Sequence, residues 1–103
     1  LFPPRLRLQG CTPFYAACRN GNVGVIKVLL KDGRIDPNSA SIKGATPFFS
    51  AASHGHLSAV RLLVSLPSID VTAALSNGFC ALSVAAQNGH DRVRGLLALV
   101  LLD

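Results

Sequence analysis

Apolar residues between positions 57 and 64 recur at spacings of three and four. Leu57, Val60, Leu63 and Val64 fall on one side of a helix, and Arg61 falls off that side toward water. A shorter apolar segment precedes it, carried by Phe48, Ala51 and Ala52. Thr46 and Pro47 open this segment. A threonine hydroxyl caps an unpaired N–H, and proline is tolerated at the first helical position, where its missing N–H has no partner. Gly55 closes the segment as a residue free to take the left-handed conformation that ends a helix. The pattern predicts two short helices joined by a tight turn. Pro67 then stops the second helix, Ile69-Asp70-Val71 is extended, and Ser76-Asn77-Gly78 signals a turn.

The same order of signals appears three times. Gly10-Cys11-Thr12-Pro13-Phe14 returns as Gly44-Ala45-Thr46-Pro47-Phe48, and again, worn, as Gly78-Phe79-Cys80-Ala81-Leu82. The step is 34 residues, from 10 to 44 to 78, and the turn glycines keep it at 21, 55 and 89. In the first unit Val25, Ile26, Leu29 and Leu30 carry the second helix, and Gly33 is expected to end it where Pro67 ends the next. Each helix is too short to stand alone in water. Small residues at Ala17-Cys18, Ala51-Ala52 and Ala85-Ala86 let neighbouring helices approach closely. A fixed period of this size means one small unit stacked several times, with function on an extended surface.

Gly-x-Thr-Pro-(Leu/Phe)-x-x-Ala-Ala-x-x-Gly-His-(Leu)-x-x-Val-x-x-Leu-Leu resembles the ankyrin repeat, and the resemblance covers residues 10–103. It implies an all-α solenoid of stacked helix–turn–helix units with projecting hairpin-like loops. It further implies protein–protein binding on a concave face made of loop tips and first helices. On this reading the chain is a single array. Residues 1–9 are the leading loop of a preceding or incomplete repeat. Repeats follow at 10–43 and 44–77, with a truncated third at 78–103.

The chain departs from that pattern in several places. Tyr15, Phe49 and Ser83 replace the histidine that usually follows Thr-Pro-Leu, so aromatic packing is expected to substitute for its backbone bonds. Arg7, Ser41 and Leu75 replace the common loop-tip aspartate. Cys80-Ala81 stands where Thr-Pro is expected, Asp91 replaces an apolar residue, and Arg94 replaces the second valine. Gly24 and Gly95 lie inside second helices, where each costs roughly 1 kcal/mol against alanine. His56 and His90 take the Gly-His position, whose implied role is to brace the inter-helix turn.

Composition narrows the chemistry. Ten Lys and Arg face five acids, all Asp, for a net charge of +5 over 103 residues. Lys27 and Arg61 are equivalent and form a basic ridge on the convex side, extended by Lys31, Arg34 and Arg92, while Arg5, Arg7, Arg19 and Lys43 lie on the loop side. Charge split over two faces reads as a solvated surface, and no aromatic-interleaved groove argues for nucleic acid. Acidic protein partners remain open. Cysteines 11, 18 and 80 do not form a disulfide framework, and Cys18 takes a small buried position. A reducing compartment, cytoplasmic or nuclear, fits that usage. No segment reaches the roughly 20 apolar residues of a membrane span. His54 and His56 lack a third metal ligand at useful spacing, Ser50 and Ser83 have no triad partner, and no phosphate-binding glycine loop occurs. Neither catalysis nor a cofactor is expected.

Residues placed to meet a partner follow from the repeat. The loop tips are Gln9, Ser41, Ile42, Lys43, Ser76 and Asn77, and the residue after each unit's first glycine is Cys11, Ala45 or Phe79. Exposed first-helix positions are Arg19 and Asn20, Ser53 and His54, Gln87 and Asn88. The reading is an interaction module without chemistry. The alternatives are a spacer within a longer array and an adaptor region of a larger enzyme. Leu1-Phe2-Pro3-Pro4 and the apolar run Leu96 to Leu102 lack the polar outer face of terminal repeats. They suggest a piece of a longer array and self-association through uncapped ends.

Overall fold

A computed structural model describes residues 12–33, 35–39, 44–71 and 80–102. Six helices occur among them: α1 (Pro13–Arg19), α2 (Val23–Leu30), α3 (Pro47–Ser53), α4 (Leu57–Val64), α5 (Ala81–Gln87) and α6 (Asp91–Leu102). They pair as α1 with α2, α3 with α4, and α5 with α6. The first helices stack as an inner layer in the order α1, α3, α5, and the second helices stack outside them as α2, α4, α6. The molecule measures 39 × 28 × 20 Å, as expected of a short stack.

Local chemistry sets the helix starts. Thr12 and Thr46 are extended N-caps whose hydroxyls accept the Tyr15 and Phe49 N–H groups, both at 3.1 Å. Proline follows each as the first helical residue. Cys80 is the N-cap of α5, but its side chain makes no capping hydrogen bond, which is the consequence of losing Thr-Pro in the third unit. Gly21, Gly55 and Gly89 turn each chain from first to second helix at φ of 69°, 72° and 77°.

Two sequence expectations need correction. The second helices end before Gly33 and Pro67, at Leu30 and Val64. The Lys31 N–H reaches the Val28 carbonyl and the Leu66 N–H reaches that of Leu63. These i→i+3 bonds tighten the last turns before either breaker is reached. Val25 was expected on the apolar stripe of α2 but is exposed, while its equivalents Ala59 and Val93 are buried. Val25 lines an open depression with Pro13, Ala16 and Leu29 that no described residue covers.

One continuous core runs through all three units, from Phe14 and Ile26 through Phe48, Val60 and Leu63 to Val93 and Leu97. Ala17, Cys18, Ala51, Ala52 and Ala85 are buried within it, so these small residues sit in the core between the inner helices, whereas Ala86, expected among them, is exposed. A second cluster joins Ala45, Phe49 and Val84 with Tyr15 packed against it. Tyr15 and Phe49 thus contribute the aromatic packing expected in place of histidine. α6 is one helix of 12 residues. Leu97 anchors it in the core, and Leu99 and Leu101 are exposed.

Candidate functional site

Stacking α1, α3 and α5 aligns the ends of the three first helices. Arg19, Ser53 and Gln87 occupy one column, and Asn20, His54 and Asn88 the next. All but Ser53 are exposed, and Ser53 is half-buried. The two columns form a strip whose register is fixed by bonds between repeats. Asn88 Nδ2 donates to the Ser53 carbonyl at 2.9 Å. His90 Nε2–H donates to the same carbonyl at 3.0 Å, and His56 Nε2–H donates to the Arg19 carbonyl at 2.8 Å. His54 bonds within its own helix, Nδ1–H to the Ser50 carbonyl at 2.8 Å, and its ring stacks on His56 with centroids 6.1 Å apart. Arg19, Asn20 and Gln87 carry no side-chain hydrogen bond among the described residues, so their ends are free for a partner.

The histidine bonds revise the expected bracing role. His56 and His90 reach back 37 residues to the preceding repeat and do not close the turn of their own unit. Each ring lies over the turn glycine of that preceding repeat. A Cβ on Gly21 would stand 2.5 Å from His56 Nδ1, and one on Gly55 would overlap the His90 ring. Glycine is therefore required at both turns twice over, by positive φ and by the ring above it.

Ala45 departs from the expected contact set. It is only 8% exposed and packs with Phe49 and Val84, because α5 stacks over the start of α3. Gln9, Cys11, Ser41, Ile42, Lys43, Ser76, Asn77 and Phe79 lie outside the described residues. One residue that sequence reasoning missed is Asn38. Its Nδ2 donates to the Ser68 carbonyl at 2.6 Å, and its Oδ1 accepts the Asp70 N–H at 3.0 Å, tying the first inter-repeat loop to the second. Asp36 orients it by accepting the Asn38 N–H at 2.9 Å. The signal available was the Asp36-Pro37-Asn38 turn, but it occurs in one unit only.

Reactive groups are dispersed. Burial pushes the Cys18 thiol up to about 12, which keeps it neutral within the core. A hydrogen bond with Ser83, Sγ to Oγ at 3.4 Å, lowers the pKa of Cys80. Both thiols are free. Among the described residues no group of three His, Cys, Asp or Glu side chains is placed to hold a metal ion, and no helix is long and apolar enough to cross a membrane. On the outer layer Lys27, Lys31, Arg61 and Arg92 are exposed.

The inner stack of capped first helices, the glycine turns and the histidines reaching back one unit together define a helical repeat array. The chain matches the family described as ankyrin repeats (3 copies) over residues 17–100. It belongs to the ankyrin repeat family. Members of that family are in general protein-interaction modules and are typically non-catalytic. No curated protein matches the chain.

Proposed function

We propose that the chain is a protein-binding module whose partner lies along the inner strip formed by the ends of α1, α3 and α5. The observation that carries this reading is the alignment of Arg19 and Asn20, Ser53 and His54, and Gln87 and Asn88 into two exposed columns held in register by the His56, His90 and Asn88 bonds. Helix ends held in register present these side chains at fixed spacing, which favours a partner that meets several of them together. The repeat pattern of the sequence makes Ile42 and Phe79 the loop positions expected to add to this surface. The strip presents guanidinium, amide and imidazole groups side by side, which suits recognition of a protein surface. Free Cys18 and Cys80 favour a reducing, intracellular setting.

The test begins with a partner recovered by affinity capture and identified by mass spectrometry, then titrated against variants. Arg19→Ala and Gln87→Ala are the clean probes, because neither side chain has a hydrogen bond among the described residues. At least one truncation among Arg19, Gln87, Ile42 and Phe79 is expected to weaken the complex by more than about 1 kcal/mol, as contact hot spots do. If all four leave the affinity unchanged, the strip is not the binding surface.

A further inference from the structure

Against the 34-residue repeat, α6 departs at three neighbouring positions on one face. Gly95 stands where the other units carry Lys27 and Arg61. Leu99 stands where they carry Lys31 and Ser65, and Arg92 where they carry Gly24 and Ser58. All three line one groove of about 500 Å³ on the outer layer, completed by Leu57, Arg61 and Leu96. It lies between α4 and α6, away from the inner strip.

The fold itself gives no reason for these departures. Gly95 does not have positive φ, and a Cβ there would meet nothing within 4 Å. A glycine inside a helix costs about 1 kcal/mol against alanine, and no described neighbour needs the space it leaves. Leu99 is 68% exposed, an apolar side chain at a position that is polar in both other units. Arg61 and Arg92 are exposed and have no acidic partner among the described residues. The nearest acid on α6 is Asp91, which lines an adjoining depression with Leu57 and Arg92 and pairs with Arg94 at 3.8 Å. A floor without a side chain, apolar walls and two free guanidinium groups thus converge on one place.

We propose that this groove docks an acidic amphipathic segment of a protein partner. One apolar side chain of the segment lies over Gly95 between Leu96 and Leu99, and flanking carboxylates meet Arg61 and Arg92. Guanidinium forks match carboxylates in geometry and charge. Charge selects this occupant: a second copy of the chain would bring another net +5 against the two arginines. Nucleic acid would leave the leucine walls uncovered, and no aromatic ring lines the groove for base stacking.

The probe is a displayed library of helical peptides of about 12 residues, roughly three turns, varied among Asp, Glu, Lys, Leu, Phe and Ala and selected on the 103-residue chain. Selected peptides are expected to combine net negative charge with one or two large apolar residues. The best peptide is then measured by fluorescence polarisation. Arg61→Glu with Arg92→Glu is expected to weaken it about tenfold or more, with affinity falling as salt rises. Gly95→Leu, which fills the groove on a helical site that favours leucine, is expected to do the same while circular dichroism stays unchanged. Arg19→Ala and Gln87→Ala are expected to leave this peptide within about twofold, so failure here and failure of the inner strip are separable. Selection of neutral or basic peptides, loss of binding in the inner-strip variants alone, or a single-stranded oligonucleotide that outcompetes the peptide at the groove would each overturn the proposal. Dimerisation abolished by Gly95→Leu would overturn it too.

Discussion

Thr46 Oγ1 accepts the Phe49 N–H inside the protein, whereas Asn22 Oδ1 accepts the Val25 N–H at 3.3 Å in contact with water. Without its hydroxyl, Thr46→Ala leaves a buried donor unpaired, while the Val25 donor can turn to solvent. Thr46→Ala is expected to cost about 1–2 kcal/mol and Asn22→Ala distinctly less. Urea denaturation of both variants measures the difference, and equal midpoints would remove the buried-cap argument. Ser50 is the opposite case. It is 2% exposed in the middle of α3, and its Oγ has no hydrogen-bond partner. Ser50→Ala removes an orphaned hydroxyl and is expected to raise stability by about 1 kcal/mol in the same titration. A loss of stability there would mean that the hydroxyl finds a partner in solution. The two residues also mark what the sequence discloses at this scale. Thr-Pro before an apolar segment is a local signal, and it located both capping threonines. The isolation of Ser50 depends on which helices surround α3, and no local pattern carries that.

At the scale of the helix pair, the turn glycines separate two effects that are usually mixed. Gly55 and Gly89 share positive φ, at 72° and 77°, but only Gly55 has the ring of the next repeat's histidine above it. Gly89→Ala therefore reports the left-handed backbone cost alone, about 1–2 kcal/mol. Gly55→Ala adds displacement of His90 from the Ser53 carbonyl and is expected to cost at least about 1 kcal/mol more. Thermal or urea melts of the two variants, with Gly55→Ala/His90→Ala as the third, check this. The extra cost is expected to shrink in the double variant, and an equal cost for both single variants would deny the contact. The glycine and histidine spacing was plain in the sequence, and so was the glycine's role as a turn. The histidine's partner was not. A bond spanning 37 residues depends on how one unit is offset on the next, and a period of 34 fixes the repeat without fixing that offset.

For the molecule as a whole, the equivalent positions 26, 60 and 94 decide how each unit presents itself to whatever lies beyond it. Ile26 and Val60 are fully buried. Arg94 takes their place in the third unit, exposed and paired with Asp91 at 3.8 Å. Both substitutions are visible in the sequence as departures from the repeat, while the apolar run Leu96 to Leu102 by itself suggests association. Placed in the fold, part of that run is spent on the core through Leu97, and the same helix carries the exposed Arg94–Asp91 ion pair. Burying an ion pair against another apolar surface carries a desolvation cost that its attraction does not reliably offset. The chain is therefore expected to sediment as a monomer at micromolar concentrations. Arg94→Val with Asp91→Leu restores the apolar face of the inner units and is expected to sediment as larger species as concentration rises. If the unaltered chain associates as strongly as this variant, Arg94 does not guard the face, and the exposed Leu99 and Leu101 govern self-association instead.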